Sequence, residues 1–524
     1  MRIFYCNLNI NKINGKPLSL NLGMPKTKDA ASGITKAIPQ TENSFLQDFV
    51  NNPQQITVDY QCSITTDGFV GFGSENNING LFQIEQDSGF VSAADIETAK
   101  HNLDELLKAI KRELLKHPEK PLGDKILLAY MVIEDSFGGY IDGVNSPLLT
   151  HALLNKEIDC DTSSLIILAL AEELKNDDLE WSSIGMVLMP NHASLQYGDS
   201  YYDKGEKIDK SRYERQFGIP QDIADNPLRE NVFAILANTT CGILAGRKNN
   251  YQKSIQYYDQ ALALSAYNFI AYYNRGINHF SLAQDKAIEL DLFKNKDIVP
   301  SMADREFILQ HYTKAIVDYT QASQITSKYA GSYYGIIDCC IDLIDLNIEP
   351  EKYGQLALAT HAEKTRVYGE DMDSPIERAA VYMHLQNYVM AEQELYASLN
   401  GWRNDGYFPR TMVKVYKLLA EALRAQGKES EAARFDSYTV EDLDVDQLFQ
   451  QTLDSLKAKD YDGAETSFLN MKNVLAKHYG FTVHRYFAED LFYAKPEFTE
   501  QDNIRAMELL DAWGNLLLQN METQ

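Results

Sequence analysis

A 34-residue spacing recurs in the C-terminal half of the chain, and it constrains the fold more than any other feature. Gly242 and Gly276 are 34 residues apart, and each lies in a stretch of helical pattern. Nine residues after Gly242 begins a series of aromatic, small, aromatic, small and apolar residues, which recurs downstream. Stacked pairs of antiparallel helices produce such a period, because small residues allow close approach and aromatic rings fill the space to the next pair. The two full copies are Tyr251, Ser254, Tyr258, Ala261 and Leu264, and Tyr312, Ala315, Tyr319, Ala322 and Ile325.

Partial copies and one insertion extend the repeat. Weaker matches to the series begin at Tyr388 and Tyr461. Tyr312 follows Gly276 by 36 residues instead of nine, which indicates that about 27 residues are inserted near 283–310. A fixed period that is met twice, with further partial copies, favours a helical array over a chance match.

In period and residue pattern, the region 228–475 resembles the tetratricopeptide repeat (TPR) family. The resemblance implies an all-α helical solenoid, and we expect the remaining residues, 476–524, to form helices that cap it. Arrays of this kind present a groove that binds a peptide or another protein. We therefore expect a protein or peptide partner, while the sequence leaves open which side chains contact it.

Charge and composition exclude several classes of partner. The 524 residues include 49 Lys and Arg against 75 Asp and Glu, which gives a formal net charge of −26. Such a chain is repelled by phosphate backbones and by anionic membrane surfaces, so we expect neither a nucleic-acid nor a membrane partner. No stretch approaches the roughly 18 consecutive apolar residues that a membrane span needs.

The N-terminus and the cysteines indicate the compartment. The first residues, MRIFYCNLNINKINGK, lack the apolar core of a secretory signal. The six cysteines are scattered and form no CxxC pair, so neither a disulfide framework nor a zinc cage is indicated. We expect a folded cytoplasmic protein without a cofactor, and secretion by a route that uses no cleaved signal stays open.

The first 227 residues have a different texture. Residues 1–90 are rich in Asn, Gly and Thr with alternating apolar positions, which predicts a β-rich segment of unknown role. Residues 91–227 read as three helices, a fourth helix that begins at Cys160, and strands joined by a turn at Gly198–Asp199. Helices followed by an antiparallel meander predict an α+β domain. The three earlier helices are expected within 92–117, 124–138 and 146–157.

Cys160 stands where a thiol can be chemically useful. The segment after it, 165–170, is apolar without interruption, which predicts a helix that is buried on most sides. Unsatisfied amide groups and the helix dipole at the N-terminus favour a thiolate and can hold an oxyanion. The flanking Asp159 and Asp161 oppose this if either carboxylate points at the sulfur, although these acids can instead cap the helix.

His192 and Asp203 supply what a thiol nucleophile requires, namely a base and a group that orients it. With a two-residue turn at Gly198–Asp199, positions 192, 194 and 196 share a face with 201, 203 and 205 on the next strand. The two side chains are therefore expected to project diagonally from one face of neighbouring strands. Asp199 is the competing acid, but it lies in the turn and points away.

Cysteine at the start of a buried helix, followed by histidine and aspartate on successive strands, resembles the transglutaminase-like superfamily of papain-type thiol enzymes. The stretch Asp159–Ser164, the apolar helix and the Pro190–Asn191–His192 segment are similar to a bacterial subgroup that joins such a domain to a TPR array. The resemblance covers roughly residues 120–475. It implies that Cys160 is the nucleophile, His192 the general base and acid, and Asp203 the orienting acid.

Two functions follow from these patterns. The first is a cysteine protease-like hydrolase or transamidase, which forms a thioester on Cys160 and receives its substrate through the TPR array. The second is a catalytically silent transglutaminase-like fold that acts as a protein-interaction scaffold. A metal site is the least favoured of the three interpretations, because one cysteine and one nearby histidine are too few ligands.

Overall fold

The computed structural model describes residues 77–141, 147–189, 192–219, 227–295, 297–370, 374–405, 411–436 and 451. The described residues up to 368 belong to one compact unit, and those from 369 onward belong to a second. The described part is mostly helical, with one four-stranded antiparallel sheet.

The first unit begins with five helices and continues into the sheet. The helices are α1 (Ile78–Asp87), α2 (Ala93–Leu114), α3 (Leu122–Phe137), α4 (Leu149–Asn155) and α5 (Cys160–Leu174). The strands, in sheet order, are β1 (Gly185–Met189), β2 (His192–Tyr197), β3 (Ser200–Asp203) and β4 (Glu206–Asp209), and helix α6 (Lys210–Phe217) follows them.

Both faces of the sheet are covered by other elements, so the side chains on each face pack into a different hydrophobic cluster. Met186 and Leu188 of β1 pack into the same core as α5, together with Ala193 and Leu195 of β2. The alternate residues of β1, beginning with Val187, join a second cluster with α6 and the helices that follow. Because successive strand residues face opposite sides, the buried stretch of β1 is apolar throughout instead of alternating.

Helix pairs fill the rest of the first unit. Small residues sit where the helices approach most closely: a Cβ on Gly242 would lie 2.6 Å from the Tyr258 ring, and one on Gly276 would lie 3.0 Å from the Tyr319 ring. The 34-residue spacing of Gly242 and Gly276 therefore reflects one glycine–tyrosine contact in each of the first two helix pairs. The helices are α7 (Val232–Arg247), α8 (Tyr251–Leu264), α9 (Phe269–Glu289), α10 (Met302–Ile325), α11 (Ala330–Asp345) and α12 (Pro350–Tyr368).

The predicted insertion near 283–310 lengthens one helix pair. Helices α9 and α10 have 21 and 24 residues, against 16 and 14 in the pair before them. The extra chain extends the end of α9 and the start of α10, so the glycine–tyrosine contact is kept while the loop moves outward. The insertion is thus accommodated without breaking the stacking.

In the described residues of the second unit, two more helix pairs follow. Their core is aliphatic at its centre, with Leu395, Val415, Leu419 and Leu423 fully buried and Phe435 nearly so. Its helices are α13 (Ser374–His384), α14 (Tyr388–Asp405), α15 (Thr411–Ala425) and α16 (Glu429–Asp436).

Two sequence-based expectations change. Strands and turns were expected across 1–90, but 78–87 form α1, because Leu81, Phe82 and Glu85 are buried along one helical face and Asn77 caps the N-terminus. The region 91–227 was expected to hold four helices and strands, and the structure adds a fifth helix there, α6, after β4. The predicted β-rich segment before residue 77, the partial repeat at Tyr461 and the predicted capping helices at 476–524 lie outside the described residues.

Candidate active site

The start of α5 is fixed by a reciprocal cap. Asp159 is the N-cap residue, and its carboxylate accepts a hydrogen bond from the Thr162 backbone N–H at 2.9 Å. The Thr162 hydroxyl in turn accepts from the Asp159 backbone N–H at 3.0 Å. Ten helix residues, 162–171, are buried and hold the helix in the core. Cys160 therefore occupies the first helical position, where the backbone N–H groups of Cys160 and Asp161 have no partner within the helix, while that of Thr162 is taken by the cap.

The Cys160 sulfur has two neighbours that oppose one another. Its S–H donates to Asp161 Oδ1 at 3.3 Å, and the backbone N–H of Ala193 donates to the sulfur. Burial raises the pKa of the Cys160 thiol well above its ordinary value, and the carboxylates of Asp161 and Asp159 raise it further, while the Ala193 N–H lowers it. In this conformation Cys160 is a neutral thiol at pH 7.

Asp161 is the flanking acid that points at the sulfur, whereas Asp159 is committed to the cap. Burial raises the pKa of Asp161 to about 6, and the charge of Asp159 adds to this effect. Asp161 is therefore largely ionised at pH 7 and accepts the hydrogen bond that the Cys160 S–H donates.

The β2–β3 hairpin brings His192 and Asp203 together. Leu195 pairs with Tyr202 and Tyr197 with Ser200, as the two-residue turn requires, so positions 192 and 203 share one face of the sheet. His192 Nε2 lies 2.9 Å from Asp203 Oδ2, and both side chains are largely buried. A partly buried carboxylate within hydrogen-bond distance of an imidazole nitrogen fixes the orientation of the ring.

Helix α6 adds two aromatic side chains that the sequence reading missed. The Tyr213 hydroxyl makes a close contact with His192 Nε2 and donates to Asp203 Oδ2 at 3.2 Å. The Phe217 ring stacks on the imidazole, with centroids 5.6 Å apart and planes 18° from parallel. Tyr213 and Phe217 are four residues apart, between an Asp N-cap and a terminal glycine. This pattern in the sequence indicates a short helix with both aromatic rings on one face.

The structure brings the sulfur to the backbone N–H of Ala193, the residue next in sequence to His192. Ala193 faces the α5 core, while His192 lies with Tyr213 on the opposite face. Among the described residues, no hydrogen bond joins the Cys160 sulfur to the His192 ring. Asn155, five residues before Cys160 and a side chain that could donate to an oxyanion, is exposed at the end of α4.

Metal and membrane sites were also sought in the described part of the chain. No group of three or more His, Cys, Asp or Glu side chains there is arranged to hold a metal ion. None of the described helices has the length and apolar content that crossing a bilayer requires.

Comparison with known proteins gives little. No protein-family model matches the sequence, and no curated protein matches it. Among solved structures, the chain is similar to the human IFIT1 dimer with m7Gppp-AAAA, at a TM-score of 0.22 and 11% identity over 75% of each chain. A monomeric IFIT1 mutant with Gppp-AAAA gives a TM-score of 0.24 and 11% identity, again over 75% of each chain. Likeness at this level carries no argument about fold or function.

Proposed function

We propose that the chain is a transglutaminase-like thiol enzyme that carries out acyl transfer, with its helix pairs forming a TPR-type array that binds the peptide or protein substrate. One observation carries the proposal. Cys160 begins a buried helix with its sulfur beside the Ala193 N–H, and Ala193 is next in sequence to His192, whose Nε2 lies 2.9 Å from Asp203 Oδ2.

The proposed reaction begins with the thiol proton. His192 accepts it while the sulfur attacks an amide or ester carbonyl, so that a sulfur–carbon bond forms. The developing oxyanion is stabilised by the backbone N–H groups of Cys160 and Asp161, which the cap leaves unbonded. The carbon–nitrogen or carbon–oxygen bond then breaks, the leaving group takes the proton from His192, and a thioester remains on Cys160. Water or an amine attacks the thioester and releases the sulfur as a thiol.

The first step requires a rotation of the Cys160 side chain. In the present conformation the S–H proton is directed at Asp161 and not at His192. A rotamer change about the Cα–Cβ bond moves the sulfur without moving the helix, because the cap fixes the backbone. Substrate that occupies the space beside Asp161 would favour the productive rotamer.

Alkylation resolved by site tests the proposal directly. The full-length protein is treated with iodoacetamide between pH 6 and 10, and each cysteine peptide is quantified by mass spectrometry. We expect the Cys160 profile to change in a His192→Ala variant, whereas Cys241, which is fully buried in α7, serves as the internal control and stays unlabelled in the folded protein. A Cys160 profile that is identical in wild type and His192→Ala would refute the base role of His192.

Covalent trapping tests the acyl transfer itself. An activated ester such as p-nitrophenyl acetate should place an acetyl group on Cys160 that hydroxylamine removes. Asp203→Asn is expected to slow this acetylation by one to two orders of magnitude, because the ring loses its orienting partner. Cys160→Ser, which keeps the size and the cap, is the matched control for labelling elsewhere.

A catalytically silent scaffold is the second candidate, and two observations favour it. The thiol donates to a carboxylate in place of a histidine, and its pKa lies well above the ordinary value. Under this alternative the helix pairs alone carry the function, and peptide or protein binding survives Cys160→Ser unchanged. Absence of any acetyl adduct on Cys160 together with retained partner binding would establish the scaffold.

The cysteines support a reducing compartment, and we place the protein in the cytoplasm on that ground. The four cysteines in the described residues are all free thiols: Cys160, Cys241, Cys339 and Cys340.

A further inference from the structure

The Tyr213 hydroxyl is positioned where it can act on the base. The chain turns from β3 into β4 at the Asp203–Glu206 pair, and Asp209 then caps α6, which carries Tyr213 back over the end of β3. Tyr213 is almost completely buried. Its ring lies 4.9 Å from the Tyr201 ring, so packing restricts its motion.

The hydrogen-bond donors and acceptors of Tyr213, Asp203 and His192 favour one arrangement of the protons. The Tyr213 O–H donates its only proton to Asp203 Oδ2. His192 Nε2 lies within hydrogen-bond distance of that same carboxylate oxygen and also contacts the Tyr213 oxygen. With the Tyr213 proton on Asp203, an unprotonated Nε2 would direct its lone pair at two oxygens without a proton between them. This arrangement calls for a hydrogen on Nε2, which in the neutral ring leaves the lone pair on Nδ1.

The hydroxyl stays protonated over the pH range in which the base acts. Burial raises the pKa of Tyr213 far above its ordinary value, and the Asp203 charge adds to this effect. Phe217, stacked on the imidazole, covers one face of the ring. The ring thus has one face covered and one nitrogen held by two oxygens.

We infer that Tyr213 is a positioning residue that, together with Asp203, locks His192 in the tautomer with the proton on Nε2. This leaves Nδ1 as the atom that receives the Cys160 proton. The inference rests on the proposed function for its catalytic meaning, but the tautomer is a property of the resting protein and is measured without substrate.

Nitrogen NMR measures the tautomer in the full chain. Protein labelled with ¹⁵N in histidine is examined by long-range ¹H–¹⁵N correlation, and the His192 signals are identified by their loss in His192→Gln. We expect the wild type to show a protonated Nε2. In Tyr213→Phe, which removes the hydroxyl and keeps the ring, the ratio of the two tautomers should shift towards Nδ1–H by about tenfold, the effect of one neutral hydrogen bond.

Tyr201→Phe is the matched control, because it removes a hydroxyl from the neighbouring buried ring on the same face. It should leave the His192 tautomer unchanged. An Nδ1–H tautomer in the wild type would overturn the inference, and this measurement does not require the Tyr213→Phe variant to fold. Equal tautomer ratios in wild type, Tyr213→Phe and Tyr201→Phe would overturn it as well.

The two proposals fail in different ways. If Tyr213→Phe shifts the tautomer while Cys160 is never acetylated, the positioning role stands and the enzyme proposal falls. If Cys160 is acetylated at the same rate in wild type and Tyr213→Phe with an unchanged tautomer, the enzyme proposal stands and the positioning role falls.

Discussion

Asp161 is predicted to be the main side-chain obstacle to thiolate formation at Cys160. Replacing it with Asn removes a negative charge 3.3 Å from the sulfur while keeping the size of the side chain. The repulsion between thiolate and carboxylate at that distance is about 1.3 kcal/mol in a water-like dielectric and about 5 kcal/mol at an effective dielectric constant of 20. The pKa of Cys160 should therefore fall by about one to about four units in Asp161→Asn.

The alkylation rate translates this shift into a measurable quantity. Each unit by which the pKa falls raises the thiolate fraction about tenfold but lowers the intrinsic nucleophilicity about threefold, which leaves a net gain of about threefold. At pH 8, iodoacetamide should thus label Cys160 about threefold to about 100-fold faster in Asp161→Asn than in the wild type.

Asp159→Asn is the matched control, since asparagine caps a helix as well as aspartate does. Asp159 opposes the thiolate less than Asp161 does, so its replacement should accelerate labelling by a smaller factor. A Cys160 labelling rate in Asp161→Asn that equals the wild-type rate, with the melting temperature preserved, would refute this account of the site's electrostatics.

Three further predictions concern stability. Gly242→Ala forces a Cβ into the Tyr258 ring at 2.6 Å and should cost about 1 to 3 kcal/mol, seen as a lower urea midpoint, whereas Gly242→Ala combined with Tyr258→Leu should recover part of that loss. Burial raises the pKa of Glu85 to about 7, so the contribution of Glu85 to folding stability is complete below pH 4.5 and is lost as the pH rises through 7. The melting temperature should therefore fall more from pH 5 to pH 8 in the wild type than in Glu85→Gln. Burial lowers the pKa of His311, whose Nδ1 lies 2.9 Å from that of His279, to about 4. The contribution of neutral His311 to stability is complete above pH 6.5 and is lost as the pH falls through 4. His311→Gln should therefore reduce the loss of melting temperature between pH 6.5 and pH 4, and an unchanged loss would contradict this prediction.

The repeat and the hairpin were predictable because both are local patterns. A glycine–tyrosine contact within each helix pair leaves a 34-residue spacing in the sequence, and the loop outside that contact can lengthen without disturbing it. The register of the β2–β3 hairpin follows from its two-residue turn, which fixes which residues share a face. The helix at 78–87 was not predicted, because the composition of this segment is similar to that of a strand region. Its buried residues nevertheless follow a helical period.

Helix and strand periodicity depend only on neighbouring residues, so the chain's pattern alone predicts that Cys160 begins a buried helix and that positions 192 and 203 share a face. The remaining features of the site come from tertiary packing. It assigned Asp159 to the cap and Asp161 to the sulfur, and it folded α6 back so that Tyr213 reaches the imidazole. These contacts depend on how separate elements pack against one another. The direction of a side chain across such a contact produces no periodic pattern in the sequence.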